Sequence, residues 1–312
     1  MSKTFARYAA AVLVFNVAVI LWGAMVRASG SGAGCGNHWP LCNGVVLPQA
    51  PAVATVIEFT HRAMSGLDVI LVVILLVWAF RGFPARHPVR LGATLSALFL
   101  ASEALIGAAL VKLEQVARNA SVGRAYSLSG HLLNTLTLLA CLTLTAWWAT
   151  GARRLQLRGR AAWLAGLGLF LFVLLGISGA IAALGDTLFP ASSLADGFRR
   201  DFDPAASVFL RLRLLHPLLA VGTAAWLGFY AVLHRRWSLL ALVMLQVAAG
   251  ALNLFLLAPI WMQLVHLLLA DMVWISLVLL CASTLQSPPV PADSWANEMA
   301  PPVVRLERVS PK

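Results

Sequence analysis

Eight apolar runs, each long enough to cross a lipid bilayer, limit this chain more than any other feature. They fall near residues 8–27, 54–80, 91–112, 126–149, 161–183, 209–233, 237–257 and 259–285. A bilayer core takes about 20 apolar residues of helix, and within it backbone amides must find partners inside the protein, which helices supply from their own segment. The sequence is 60% hydrophobic and 11% charged, well outside the range of soluble domains. The fold expected is therefore an all-α integral membrane protein. Its eight transmembrane helices divide into two pseudo-symmetric four-helix bundles, residues 1–153 and 154–286. Residues 287–312, with PPVP and APPVV, read as a disordered cytoplasmic tail. The first run stands behind Lys3 and Arg7 and is followed by Arg27. It is long for the apolar part of a signal peptide and reads as a retained helix.

The net charge of +11 does not point to nucleic acid, because the basic residues lie in short clusters between apolar runs. Anionic lipid headgroups are the partners such clusters fit. An even number of spans puts both termini on one side. Lys3, Arg7 and the clusters Arg81/Arg86/Arg90, Arg153/Arg154/Arg158/Arg160 and Arg235/Arg236 would share that side, and the excess of cations there makes it the cytoplasm. Two longer outer loops, 28–53 and 184–208, follow the first and fifth helices, one in each half. Similar small-residue stretches, WGAMVRASGSG with LGISGAIAALGD and IGAALVKLE with AAGALNLFL, agree with an internal repeat.

Four of the seven histidines, His61, His131, His216 and His266, fall inside apolar runs, one in each even-numbered helix. Each follows the outer start of its run by a similar distance, roughly 8–10 Å at 1.5 Å per residue. A single intramembrane histidine is explained by a hydrogen bond to a neighbouring helix; four at one depth ask for a common cause. Imidazole is a good ligand for iron, copper or zinc, and two imidazoles from facing helices can hold a haem iron from both sides in a four-helix bundle. Zinc or copper would gather three or four ligands, and neither half offers such a cluster. His61 therefore pairs with His131, and His216 with His266. His38, His87 and His234 lie in loops or at helix ends, where solvation accounts for them.

The two halves are not chemically alike. Glu58, His61 and Arg62 stand at i, i+3 and i+4 on one helical stripe. This is either an acid beside an iron ligand or a Glu58–Arg62 pair that neutralises itself. The corresponding segment RLRLLHPLL, residues 211–219, has no carboxylate before His216. Chemistry in the first half and electron storage in the second follow from that difference. Arg211 and Arg213 can reach haem propionates through bidentate hydrogen bonds or snorkel to the interface. Glu103, Asp68 and Asp271 are further intramembrane acids, suited to a proton path or to interhelical hydrogen bonds. Cys141 and Cys281 pack as small apolar side chains. In the first outer loop, Cys35 and Cys42 either form a disulfide, which the oxidising side of a membrane permits, or bind metal with His38. A disulfide-closed loop would form a lid over the first site.

Together these residues resemble the haem A synthase family. The resemblance rests on GSGAGCGNHWPLCNG at 30–44, EFTHR at 58–62, the single histidines of the even helices and GDTLFPA at 185–191, and it covers residues 8 to 285. It implies an enzyme that oxidises the C8 methyl of haem O to a formyl group by successive hydroxylations and loss of water, giving haem A for terminal oxidases. It implies substrate haem O between His61 and His131, haem b between His216 and His266, and Glu58 as the acid acting on the substrate. It also implies a plasma (inner) membrane location, with a haem O synthase and a quinone or other redox protein as partners. Arg62 joins Arg211 and Arg213 as a candidate propionate contact. Some members carry a second cysteine pair in the outer loop of the second half, which residues 184–208 lack, so a redox role requiring it does not carry over. A dihaem electron carrier and a haem-handling protein without turnover are the competing classes; neither needs an acid beside the iron.

Overall fold

The computed structural model describes residues 2–286, and every regular element among them is α-helical. The expected tail, 287–312, lies outside the described residues. Spanning helices are α1 (Ser2–Ala28), α2 (Val53–Gly82), α3 (Pro88–Lys112), α4 (Val122–Ala149), α5 (Gly159–Leu188), the pair α7 (Val208–Arg213) and α8 (Leu215–Leu233), α9 (Trp237–Phe255) and α10 (Ile260–Thr284). Eight spans result, by length and apolar composition. The protein is a multi-pass integral membrane protein.

The helices begin and end where local chemistry allows. Pro88 occupies the first turn of α3, where its missing N–H costs nothing, and the His87 side chain accepts from Val89 N–H. Ser121 caps α4 through Arg124 N–H. Several helices outrun their apolar stretches. Residues 184–188, expected in a loop, continue α5, and 194–202 form a short helix α6 (Leu194–Phe202) in place of open loop. Ser193 caps α6 by accepting from Asp196 N–H, while the Asp196 carboxylate accepts from Ser192. The sixth span, expected as one helix, breaks at Leu214. Pro217 has no N–H to give the carbonyl four residues earlier, which loosens the turn immediately before His216.

Helices α1 to α4 pack against one another, as do α5, α7/α8, α9 and α10; α4 and α10 carry the main contacts between the two groups. The close-packed apolar clusters lie toward one end. Phe5, Ala9, Val72, Leu75, Ala79, Val89, Ala93, Leu142 and Trp148 form one of them in the first group. The second gathers Ala165, Phe172, Tyr230, Leu239, Leu277 and Cys281, with Leu139 from the first group. Phe172 stacks on Trp274, whose indole N–H donates to Leu136 O at 2.8 Å and so crosses between the groups. Apolar side chains left exposed along the spans, such as Ile74, Val77, Phe229 and Val232, face where lipid would be. All four intramembrane histidines sit toward the opposite end, which carries the Cys35–Cys42 loop. From the first residue of its span each lies about 9 to 14 Å along the axis.

Candidate functional site

The first site is built on α2 and capped by the loop before it. Cys35 and Cys42 form a disulfide, so the metal-binding alternative for that pair does not hold. Gly34 lies so close to the backbone of Ala54 and Thr55 that a Cβ there would collide with it, and Thr55 Oγ1 donates to Gly34 O at 2.7 Å. The loop is thereby pinned to the start of α2. Glu58, only 3% exposed, accepts from Cys35 N–H at 2.8 Å and from the Arg62 guanidinium at 2.5 Å. Arg62 also donates to His38 O and Leu41 O at 2.6 Å each. Burying a carboxylate is expensive unless it is paired and hydrogen-bonded, and both conditions are met here. Arg62, a candidate propionate contact, is directed to Glu58 and to loop carbonyls. The indole of Trp22 donates to Ile57 O at 2.9 Å, joining α1 to α2 beside Glu58.

His61 lies on the same stripe of α2, against α1. A Cβ on Gly23 would stand 3.0 Å from its ring, so glycine is what lets the imidazole approach α1. His131 on α4 faces α3, where its Nδ1 lies 3.2 Å from Glu103 Oε1. The ring is turned off the line of a regular hydrogen bond. Glu103 is within electrostatic reach of His61 as well. The Asn134 amide donates to the same carboxylate at 2.5 Å, the Thr135 hydroxyl donates to it too, and the Ser102 hydroxyl donates to Asn134 at 2.6 Å. Three α4 side chains therefore converge on one α3 acid, a cluster that sequence reasoning left without a role.

The second site repeats the plan with neutral hydrogen-bond partners, and the Asp186 carboxylate is within electrostatic reach of His216. His216 packs on Gly179 of α5, where a Cβ would be 2.9 Å away, and His266 packs on Gly250 of α9 at 3.0 Å. Ser178 gives its hydroxyl proton to Leu175 O at 2.7 Å, so at 3.1 Å the His216 Nδ1–H is the donor to Ser178 Oγ. That tautomer leaves a lone pair on His216 Nε2. Gln246, one turn before Gly250, places its amide nitrogen 3.4 Å from His266 Nε2. The His216 and His266 ring centres are 6.4 Å apart with planes at 89°.

These residues fit haem. Two imidazoles on opposite faces of one iron, with metal–nitrogen bonds of about 2 Å and ring centres about 1 Å behind the nitrogens, lie about 6 Å apart. Perpendicular ring planes are compatible, because each plane need only contain the axis normal to the macrocycle. Nδ1 of His61 and of His266 is buried without a hydrogen-bond partner among the described residues, which is costly unless a further ligand is meant to be there. No group of three His, Cys, Asp or Glu side chains could hold a bare metal ion among the described residues; a porphyrin supplies four nitrogens of its own.

The remaining sequence candidates are at the loop end of the second group. Arg213 bonds Asp186 at 2.6 Å and Asp201 at 2.7 Å, so its guanidinium already holds two carboxylates. Arg211 is exposed at the end of α7. Asp196 binds Arg199 and Arg200; the hydrogen bonds from Ser192, with these arginines, hold its carboxyl below the usual range. Arg27, at the end of α1, ties the groups together by donating to Ala183 O at 3.0 Å, Thr187 Oγ1 at 2.8 Å and Gln263 Oε1 at 2.9 Å. Asp68 accepts from Asn16 at 2.6 Å, an interhelical bond deeper in the bundle.

A family model described as cytochrome oxidase assembly protein, COX15-CtaA, matches residues 6–278. The chain belongs to that family. Within the COX15-CtaA family setting, it is 28% identical over 323 residues to a protein of Geobacillus kaustophilus named Heme A synthase, covering 98% of this chain and all of that one. A Heme A synthase of Halalkalibacterium halodurans is 39% identical over 126 residues, 40% of this chain and 42% of its own. A Thermus thermophilus protein named Protoheme IX farnesyltransferase is 50% identical over 296 residues, 90% of this chain. The chain spans about half the length of that relative, 48%.

Proposed function

We propose that this COX15-CtaA family member is a haem A synthase, which oxidises the C8 methyl of haem O to a formyl group by successive hydroxylations and loss of water. The observation that carries the reading is the difference between two histidine pairs. The buried Glu58 stands one turn from His61 on α2 and the half-buried Glu103 meets His131, whereas Ser178 and Gln246 meet His216 and His266, with Asp186 reaching His216 only electrostatically. Electron carriage alone needs no acid beside the iron, and delivery without turnover needs none either. The end-to-end similarity to a protein named Heme A synthase supports the same reading.

In this reading residues 1–153 form the substrate half, with His61 and His131 holding haem O, and residues 154–286 the cofactor half, with His216 and His266 holding haem b. Bound haem supplies redox-active iron. The protein supplies position and charge. Glu58 is kept in place by Cys35 N–H and Arg62, so it can hold or move a proton at its carboxylate without the loop opening. The disulfide loop closes the site from above and excludes water. The glycines opposite His61, His216 and His266 fix how closely each ring approaches its neighbouring helix. Arg211 at the loop end is free to meet a propionate; Arg62 and Arg213 would do so only by sharing their present carboxylates.

The basic clusters at the tightly packed end favour a plasma membrane orientation with both termini cytoplasmic, and a disulfide on the far side agrees with an oxidising compartment. A haem O synthase is the partner that would supply the substrate; the farnesyltransferase name of the Thermus relative belongs to a protein twice this length and is consistent with that supply. A quinone or another redox protein would exchange electrons. The test is expression in a host that makes haem O but not haem A, followed by extraction and chromatography with mass detection. Haem A or its hydroxylated intermediate is expected. Only haem b and unmodified haem O, from folded protein supplied with a redox partner, would overturn the reading.

A further inference from the structure

Helices α3 and α9 each carry a polar side chain one turn before a glycine. In α3, Glu103 stands one turn before Gly107; in α9, Gln246 stands one turn before Gly250. Each meets the histidine of the following span, Glu103 at His131 Nδ1 and Gln246 at His266 Nε2. The surroundings differ to match. Nothing lies within 4 Å of a Cβ on Gly107, so His131 is not seated on its glycine as His266 is; it leans on the carboxylate instead. Asn134 and Thr135 both donate to Glu103, and Ser102 donates to Asn134, whereas Gln246 Oε1 is buried without a partner. The first site thus invests three donors in fixing an anion beside one imidazole.

Resting on the haem reading above, we propose that Glu103 is a positioning residue for His131, holding it as the Nδ1–H tautomer and lending it negative charge, while Gln246 leaves His266 neutral. A carboxylate behind a metal-bound imidazole fixes its orientation and raises its basicity. His131 needs only a small turn about its broad terminal torsion to bring Nδ1–H onto the Glu103 oxygen. A more basic ligand would stabilise oxidised over reduced iron, so a haem held by His131 would have a lower potential with the carboxylate than without it.

The experiment is a redox titration of the haem-loaded, detergent-solubilised full chain, followed optically and by paramagnetic resonance, on the wild type, Glu103→Gln, Glu103→Asp and Thr135→Val. Glu103→Gln is expected to raise the midpoint potential of the first haem and change its ligand-field signature, leaving the second haem as it was. Glu103→Asp retains the charge and is expected to stay nearer the wild type. Thr135→Val removes one hydrogen bond that orients the Glu103 carboxylate; it is expected to shift the same potential by a smaller amount and reads the effect should Glu103→Gln fail to fold. Unmoved potentials in the folded, loaded variants would overturn the proposal. Failure of the haem reading itself has a different signature: His131→Ala would leave the ligation of both haems unchanged.

Discussion

The two groups of four helices use the same frame for different ends. The second seats both its histidines against glycines and the first seats only His61 so, and each packs its apolar residues toward the end away from the loops. In the first group the Glu103 carboxylate approaches His131, and the buried Glu58 is held by a disulfide-closed loop one turn from His61. The second group surrounds its imidazoles with Ser178 and Gln246, and its outer segment is held by ion pairs centred on Arg213 and Asp196. The two groups differ in the side chains beside their histidines and also in packing, since α1 lies against α4 and α3 against α4 far more extensively than their counterparts α5 and α9 lie against α10.

The strongest way to break this comparison is Glu58→Gln. If the first half does the chemistry, haem A formation should fall by about 10²-fold or more, as for loss of a general acid or base, while both haems remain bound. A normal yield of haem A would remove Glu58 from the reaction and bring the halves nearer to equivalence. The glycines sharpen the comparison at intermediate scale. Gly179→Ala puts a Cβ 2.9 Å from the His216 ring and should displace it, with altered spectra of the second haem and weaker retention. Gly250→Ala should act similarly through His266, and Gly23→Ala through His61. Gly107→Ala should be silent in the same spectra, because nothing lies within 4 Å of the added atom.

The smallest expected effects separate the two outer segments. A reductant should loosen the first by opening Cys35–Cys42, seen as faster proteolysis of that loop and lower turnover, without changing the second haem. Acid should loosen the second. The Asp196 carboxyl is held below its ordinary range mainly by its hydrogen bonds with Ser192. Its contribution to α6 is thus present above the unfolded carboxylate value, about pH 3.9, and is lost as pH falls through the lower folded value. Hydrogen exchange across 194–202 should rise on acidification while 35–42 stays protected; the reverse pattern would contradict the assignment.

Much of this plan is legible in the sequence because membrane spans are written in composition and because histidine inside such a span is rare. The eight spans follow from the length of the apolar runs, and the stripe Glu58–His61–Arg62 from helical periodicity. The seating of His216 on Gly179 was foreshadowed only as a likeness between small-residue stretches. What was not legible depends on partners far apart in the chain. Glu103 and His131 are on different helices, so no local pattern joins them, and Arg213 could not be matched to Asp186 and Asp201 before the path of the loop was known. Arg62 turns back to loop carbonyls for the same reason. The break at Leu214 did have a visible cause in Pro217, which the unbroken hydropathy of that run concealed.

The uneven packing along the bundle has a mechanical meaning. With dense apolar contacts concentrated far from the histidines, the molecule is built like a tuning fork, stiff at the stem and compliant in the tines. A broad, greasy ring sliding in from the lipid side would need the tines of one group to part slightly, with no helical turn undone and the stem undisturbed.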